Sequence, residues 1–450
     1  MATAREQLAQ FAAGSKALPK LCREYKKERA TVHLKELVGG ALSFYAAAAV
    51  AKTGGVHIFV AEDRDAAAYL LNDFYNLLDE KQVYFFPSSY KRSAAYGAED
   101  AQGVVQRTTA MNAVRGFTKG YLVVCTYPEA LAERVVDAAT LQRDTIAVKL
   151  GDKISIAVLE DALADANFTR VDFVYEPGQY SVRGGIVDVF SYSESKPYRI
   201  DFFGDEVDSI RRFNISSQLS ADKLDRVEIV PNLNAGEAPR VSFVQFAGSS
   251  ATCWFYDADY VLRRVNDLRR KVLADMEEPG QIDRLLTSRN VLLRDMAGNS
   301  VVALRDNLPE RPATAAVVFD TAPQPKFNKN FEMLADDMIR NSLRGYATYI
   351  LSENKVQVER LENIFHQIGR GQAAVRSLSV TLHEGFVDND LKLCLYTDHQ
   401  IFDRYQRYRI NGEIRRDEQM TVAELNQLRP GDYVVHIDHG VGRFDGLVKI

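Results

Sequence analysis

Between Ile186 and Ile210 apolar and polar positions alternate with a period of two, the spacing of strands that bury one face. Ile186, Asp188 and Phe190 share one side of the first run, with Val187 and Val189 on the other. In the next run Tyr198, Ile200 and Phe202 share one face, and Arg199, Asp201 and Phe203 the opposite one. Gly204-Asp205 supplies a two-residue hairpin turn before a third strand, Glu206 to Ile210. One face must pack on the domain, which leaves Arg199 and Phe203 near the rim. Arg and aromatic residues are enriched as anchors of protein interfaces. The competing reading puts Phe203 in the core, under a helix over Ile156 to Ala166, with Arg199 paired to Asp201 or Glu206. Buried aromatics are the commoner case.

Upstream, residues 31 to 135 alternate strand and helix. Strands are expected at Thr31 to Val38, 56–61, 83–86 and 121–126. Helices are expected from Ser43, up to Leu78, near Val104 to Val114 and from Pro128. This pattern predicts an α/β domain with a parallel sheet. From 146 to 230 lies the alternating sheet, entered through a helix with Ser155 as N-cap and Leu159, Leu163 and Ala166 on one side. It reads as an insertion. Residues 231 to 320 return to mixed patterning, with a helix from Asp259 to Met276, and VVALR and AVVFD read as strands that finish the first sheet. The Pro- and Asn-rich TAPQPKFNKNF (321 to 331) reads as a linker. A small α/β unit follows: helix Phe331 to Leu343, strand 346–351, a helix capped by Ser352 with Val358, Leu361, Phe365 and Ile368 on one stripe, and strands VRSLSVTL and KLCLYT.

Composition narrows the function classes. At 450 residues the chain should hold three or four domains. A net charge of -5 gives no global basic footprint, so any contact with DNA must be local. Cys22, Cys125, Cys253 and Cys394 are far apart, with no spacing for zinc or a disulfide framework, which fits a reducing cytoplasm. No apolar run reaches a membrane span and the N-terminus lacks signal architecture, so the chain is expected to be neither inserted nor exported.

The candidate chemistry is sparse. A phosphate loop after the first strand would read GxxxxGK[ST], with the Lys on the β and γ phosphates. Here the sequence is KELVGGALS, with Leu42 where that Lys belongs, Ser43 as a possible helix cap and Gly39-Gly40 explicable as a tight turn. Asp398-His399 echoes the acidic turn of a helicase-type ATPase but has no phosphate loop upstream, and His383-Glu384 is isolated. His436, Asp438 and His439 lack a further ligand for a metal. The Arg263, Arg264, Arg269, Arg270 and Lys271 cluster is diluted by Asp259, Asp267 and Asp275 and reads as a solvated face. No GxSxG, HExxH or GxGxxG motif is present, so no catalytic residue, cofactor site or metal site is assigned and the chain reads as a non-enzyme.

The stretch PGQYSVRGGIVDVF followed by KPYRIDFFGDEVDSIRRF resembles the domain shared by UvrB and the transcription-repair coupling factors (the Mfd family), in which it docks onto UvrA. Position by position, the resemblance implies that Arg183 in VRGG, Arg199 in PYRIDFF, and Phe203 touch UvrA. Two departures favour the coupling factors over UvrB: Leu42 in place of the lysine, and the short passage from VYFFPSSYKRSAAYGAED to QGVVQRTTAMNAV, which leaves no room for a lesion-gripping hairpin. LRPGDYVVHIDHGVGRFDGLVKI is similar to the start of the CarD-like domain through which that family binds the RNA polymerase β subunit.

The implied organisation is an α/β multidomain chain: a degenerate helicase-type parallel-sheet domain (1–145 and 231–320), an inserted, mainly antiparallel UvrA-binding domain (146–230), a small α/β domain (321–415), and a linker with a truncated β-barrel start (416–450). The resemblance further implies a piece of a longer ATP-dependent DNA translocase, acting in transcription-coupled nucleotide excision repair. ATP and Mg would be needed only in motor domains outside this sequence, and DNA would be bound by the full-length protein. Residues 430 to 450, as two strands of an unfinished barrel, are expected to be disordered or to pair with another chain. The alternatives are a UvrB-type helicase subunit that binds ATP in its first domain and, more weakly, a CarD-like transcription regulator.

Overall fold

Largely apolar runs such as 56–60 and 121–126 are stable as strands only when covered on both faces, which requires a sheet flanked by helices. The computed structural model describes residues 3–90, 100–215, 217–234, 238–276, 278–404, 406, 408–410, 413–414, 431–436 and 440–446. Among them, seven strands form one parallel sheet in the order Ala315–Val318, Thr31–Lys35, Ser300–Ala303, Thr252–Phe255, Gly55–Val60, Tyr121–Thr126 and Val83–Phe85. The two strands expected from VVALR and AVVFD do complete this sheet.

Thr252–Phe255 is a strand the patterning did not reveal. It lies at the centre with all four residues buried, so no polar alternation marks it. Its Trp254 Nε1 donates to His57 Nδ1 at 3.1 Å, and burial lowers the His57 pKa to about 4. The first strand stops at Lys35 rather than Val38 because Glu36 takes φ +56, outside the β region. Ser43 is not a helix cap. Gly40 occupies that position for helix Ala41–Thr53, and Ser43 lies inside the helix with its hydroxyl on the Gly40 carbonyl and on Asp73.

The alternating segment forms a second sheet in the order Ser220–Leu224, Glu206–Phe213, Tyr198–Phe203, Ile186–Val189, Gln179–Arg183 and Thr169–Arg170, antiparallel except for the last pair. Ser155 caps helix Ile156–Asp165, accepting from the Val158 amide at 3.3 Å. Leu159 and Leu163 of this helix pack with Tyr180, Val187, Ile200 and Ile210 from one face of the sheet. Ile146–Lys149 and Arg226–Ile229 pair antiparallel and add Val148, Val227 and Ile229 to the same core.

A third, mixed sheet runs Thr321–Pro323, Phe386–Asp388, Leu393–Thr397, Ala347–Leu351 and Ser377–Leu378. The linker expected at 321 to 331 is therefore corrected: its first residues pair as a strand, and Phe327 is buried in the core of this unit. Ser352 is likewise not a cap. Asn354 caps helix Lys355–Gln367 through the Val356 amide, while Ser352 Oγ donates to Asp398 Oδ2 at 2.7 Å. The three sheets and their helices make one compact unit to residue 406. From 407 onward the described residues include a hairpin, Tyr433–His436 against Gly440–Arg443, whose connecting residues 437–439 lie outside the described ones. All four cysteines are buried thiols, and among the described residues no helix is long and apolar enough to cross a membrane.

Candidate functional site

Cross-strand partners point the same way, so the register of the second sheet gathers one outward set. Arg183 lies opposite Ile186, Ile186 opposite Asp201, and Asp188 opposite both Ser181 and Arg199. Asp188 is 1% exposed even though it faces outward. Two guanidiniums cover it. Arg199 forks onto it, Nε to Oδ1 at 2.7 Å and Nη2 to Oδ2 at 2.9 Å, and Arg183 donates from Nη2 to the same Oδ2. The hydrogen bond to Asp188 raises the Arg199 pKa above its ordinary value. Arg199 also lies 4.4 Å from the Phe213 ring centroid and donates to the Gln218 carbonyl at 3.4 Å and the Gln218 side-chain oxygen at 3.3 Å. Arg183 sits 4.8 Å from the Phe173 ring centroid. The pairing of Arg199 with Asp201 or Glu206 is not what forms. Asp201 is taken by Arg211 and Ser209 on the neighbouring strand.

Phe203 is 84% exposed. The core reading fails because helix Ile156–Asp165 covers the opposite face, the one carrying Val187 and Ile200. At the end of Tyr198–Phe203 the register shifts by one residue between Asp201 and Phe202, a bulge that increases local twist. The Phe202 amide then donates to the Gly185 carbonyl at 2.7 Å, which sets Phe203 beside the turn that follows Arg183. Gly204 at φ +61 closes the hairpin as the first residue of a two-residue turn. Phe173, Tyr175 and Leu219 are further exposed apolar side chains of this domain. The structure thus brings Arg183 and Arg199 together on one carboxylate and places Phe203 at the adjoining corner. Sequence reasoning missed Asp188, Phe173 and Phe213. The available signal was an acid between two valines, on a strand whose neighbours each carry an arginine.

The tight turn expected at Gly39-Gly40 after the first strand forms, with the Ala41 amide on the Val38 carbonyl at 3.2 Å, but it has a neighbour that was not expected. Gly39 takes φ +57, and a Cβ on Gly40 would be driven into the Glu384 carbonyl oxygen. His383 and Glu384 are therefore not isolated: their turn packs against Gly39 and Gly40. The His383 ring stacks on Tyr69 with centroids 3.7 Å apart, its amide donates to Asp73 Oδ1 at 2.7 Å, and its carbonyl meets His399 Nε2 at 2.8 Å. Asp73 also accepts from Ser43 Oγ at 2.7 Å, and burial pushes its pKa up to about 7. A cavity of about 300 Å³ remains beside the loop, lined by Leu42, Tyr69, Asp73, Trp254 and His383 among others. Asp398 holds Ser352 and Arg404, the latter at 3.2 Å.

The arginine cluster on helix Ala258–Asp275 is paired: Arg263 with Asp259 at 3.0 Å, Arg264 with Glu129 at 2.6 Å, Arg269 with Asp283 at 2.5 Å, and Arg270 with Asp267. Asp438 and His439 lie outside the described residues, and among the described residues no group of three acidic, His or Cys side chains is placed to hold a metal. Residues 91–99, on which the expectation of a missing hairpin rests, also lie outside them.

Comparison with known proteins bears on the same segments. The model of the UvrB interaction domain matches residues 146–234, and that of the CarD-like/TRCF RID domain matches residues 428–450. Over most of its length the chain is similar to proteins named transcription-repair-coupling factor. It is 23% identical to that of Bacillus subtilis (strain 168) over 92% of this chain and 42% of the relative, and 22% identical to that of Escherichia coli (strain K12) over 93% and 42%. The protein of Staphylococcus epidermidis is 22% identical over 83% and 38%. The chain therefore spans about two fifths of the length of these relatives.

Proposed function

We propose that this chain, a homologue of the transcription-repair-coupling factors carrying a UvrB interaction domain and the beginning of a CarD-like/TRCF RID domain, is the recruiting scaffold of such a factor. In this reading it presents the outward face of its second sheet to UvrA and thereby brings excision repair to RNA polymerase stalled on damaged DNA. The observation that carries the reading is Phe203. A phenylalanine 84% exposed at a strand end, beside two arginines gathered on one carboxylate, contributes nothing to the domain core and has the composition of an interface anchor. The segment from 428 onward would belong to the part that engages the polymerase β subunit. The full-length protein would be an ATP-dependent DNA translocase whose motor, with its ATP and Mg, lies outside the present sequence.

The first α/β unit is a scaffold in this reading, not a nucleotide-binding engine. The residues after its first strand do not fit a triphosphate. Leu42 offers no charge, and the groove that backbone amides would open to phosphates is met by a carbonyl and a carboxylate of the Glu384 turn. Both are acceptors, of the wrong sign for an anion.

Binding of purified UvrA to the chain and to Arg183→Ala, Arg199→Ala and Phe203→Ala variants tests the proposal. Interface anchors cost ~2 kcal/mol or more on truncation, so the folded Arg183→Ala and Phe203→Ala variants are expected to bind at least ~30-fold more weakly, and Arg199→Ala measurably more weakly than the parent. Undiminished binding by all three would refute it.

A further inference from the structure

The three residues assigned to docking are not equivalent in the fold. Arg199 has five N–H donors to offer. It commits its Nε and Nη2 to Asp188 and directs Nη1 and Nη2 toward Gln218, and its plane lies over the buried Phe213 ring. Its side chain is only 15% exposed. A partner group would have to break one of these contacts to reach it. Arg183 is the opposite case. Among the described residues its one hydrogen-bond partner is Asp188, its side chain is 36% exposed, and the ring beneath it, Phe173, is itself half open to solvent. Two guanidiniums share one carboxylate, so the spot retains positive charge and one guanidinium keeps unused donors. Without Arg199, both oxygens of Asp188 become available to Arg183, which can then fork onto them and withdraw its remaining donors from the surface.

We infer that Arg199 is a positioning residue, and that Arg183 and Phe203 read the partner: a carboxylate beside a pocket of aromatic size. Asp188 links the two arginines and keeps Arg183 presented. This rests on the docking reading given above and divides its residues by role. An Arg199 substitution weakens docking only through Asp188, whereas Arg183 and Phe203 substitutions act at the contact itself.

A double-mutant cycle with purified UvrA separates the two levels, with the thermal melt of each variant checked first. Phe203→Ala and Arg183→Ala are each expected to lose ~30-fold or more. Arg199→Ala is expected to weaken binding in the parent, yet to cost less than ~2-fold when added to Asp188→Asn, because groups acting through one network are not additive. Equal losses in both backgrounds would mean that Arg199 touches the partner directly, which overturns the inference and leaves the docking reading intact. Unchanged binding by Phe203→Ala and Arg183→Ala would overturn the docking reading itself. Should Asp188→Asn prove too unstable, Arg199→Gln takes its place. It can still donate to Asp188, so a positioning role predicts binding within a few-fold of the parent, and a loss as large as that of Arg199→Ala counts against it.

Discussion

Asp73 is a buried carboxyl that joins distant parts of the chain, accepting from the Ser43 hydroxyl and the His383 amide. Burial raises its pKa from 3.8 to about 7, so the folded chain binds a proton that the unfolded chain has released between those values. Its contribution is therefore complete below about pH 4 and is lost as pH rises through about 7. His57 runs the other way: lowered from 6.5 to about 4, it contributes above 6.5 and that contribution is lost as pH falls toward 4. The two offset each other across the mildly acidic range. Replacing Asp73 by Asn should remove one side of this balance, so the stability of the variant relative to the parent should rise by roughly 1 to 3 kcal/mol from about pH 5 to about pH 8 in urea melts. A difference that does not change with pH would show that Asp73 is ionised in the fold. Leu42 makes a second prediction at this scale. Calorimetric titration with MgATP should release no heat, because Leu42 puts no charge where a phosphate loop has its lysine and the Glu384 turn sets oxygen acceptors against Gly39 and Gly40. Saturable heat that Gly40→Ala abolishes would revive nucleotide binding.

Among the elements, the hairpin of Tyr198–Phe203 and Glu206–Phe213 depends most on one backbone setting. Gly204 sits at φ +61, and the space its missing Cβ would occupy has no neighbour within 4 Å, so Gly204→Ala meets strain but no clash. It should cost ~1 kcal/mol by chemical denaturation. A variant as stable as the parent would mean the turn relaxes to another type. This hairpin was legible in advance because period-two alternation and a Gly-Asp pair are local signals. Thr252–Phe255 was not, since a strand covered on both sides by helices shows no alternation and four residues are too few to set it apart from a buried helix turn. Thr321–Pro323 was hidden for another reason: a proline at the end of an edge strand gives the composition of a linker. Ser43 and Ser352 looked like caps from neighbouring sequence alone, yet each hydroxyl is drawn to a carboxylate, Asp73 or Asp398, that only the tertiary fold brings near. The same limit hid Asp188. Its two arginines come from two different strands, and only the register unites them.

On the scale of the molecule, the second sheet carries a core of its own inside the compact unit that runs to residue 406. Its core, from Val148 to Ile229, is drawn wholly from residues 146 to 229. Its ties to the first unit include the Thr109 hydroxyl on the Ser193 carbonyl at 2.8 Å and the Arg115–Glu228 pair at 2.6 Å, both polar. Residues 146–234 expressed alone should therefore fold cooperatively and bind UvrA within ~3-fold of the whole chain, a difference below ~1 kcal/mol. Poorly dispersed amide resonances from that fragment would show that the first unit is needed to complete the core. The exposure of Phe203 then has a consequence for how such a molecule changes over generations. The ring is 84% exposed and stands outside the domain core, so replacing it should leave the stability of the host fold almost untouched while altering the surface offered to a partner. In the docking reading, partner choice and foldedness are separately adjustable, and drift in one need not be compensated in the other.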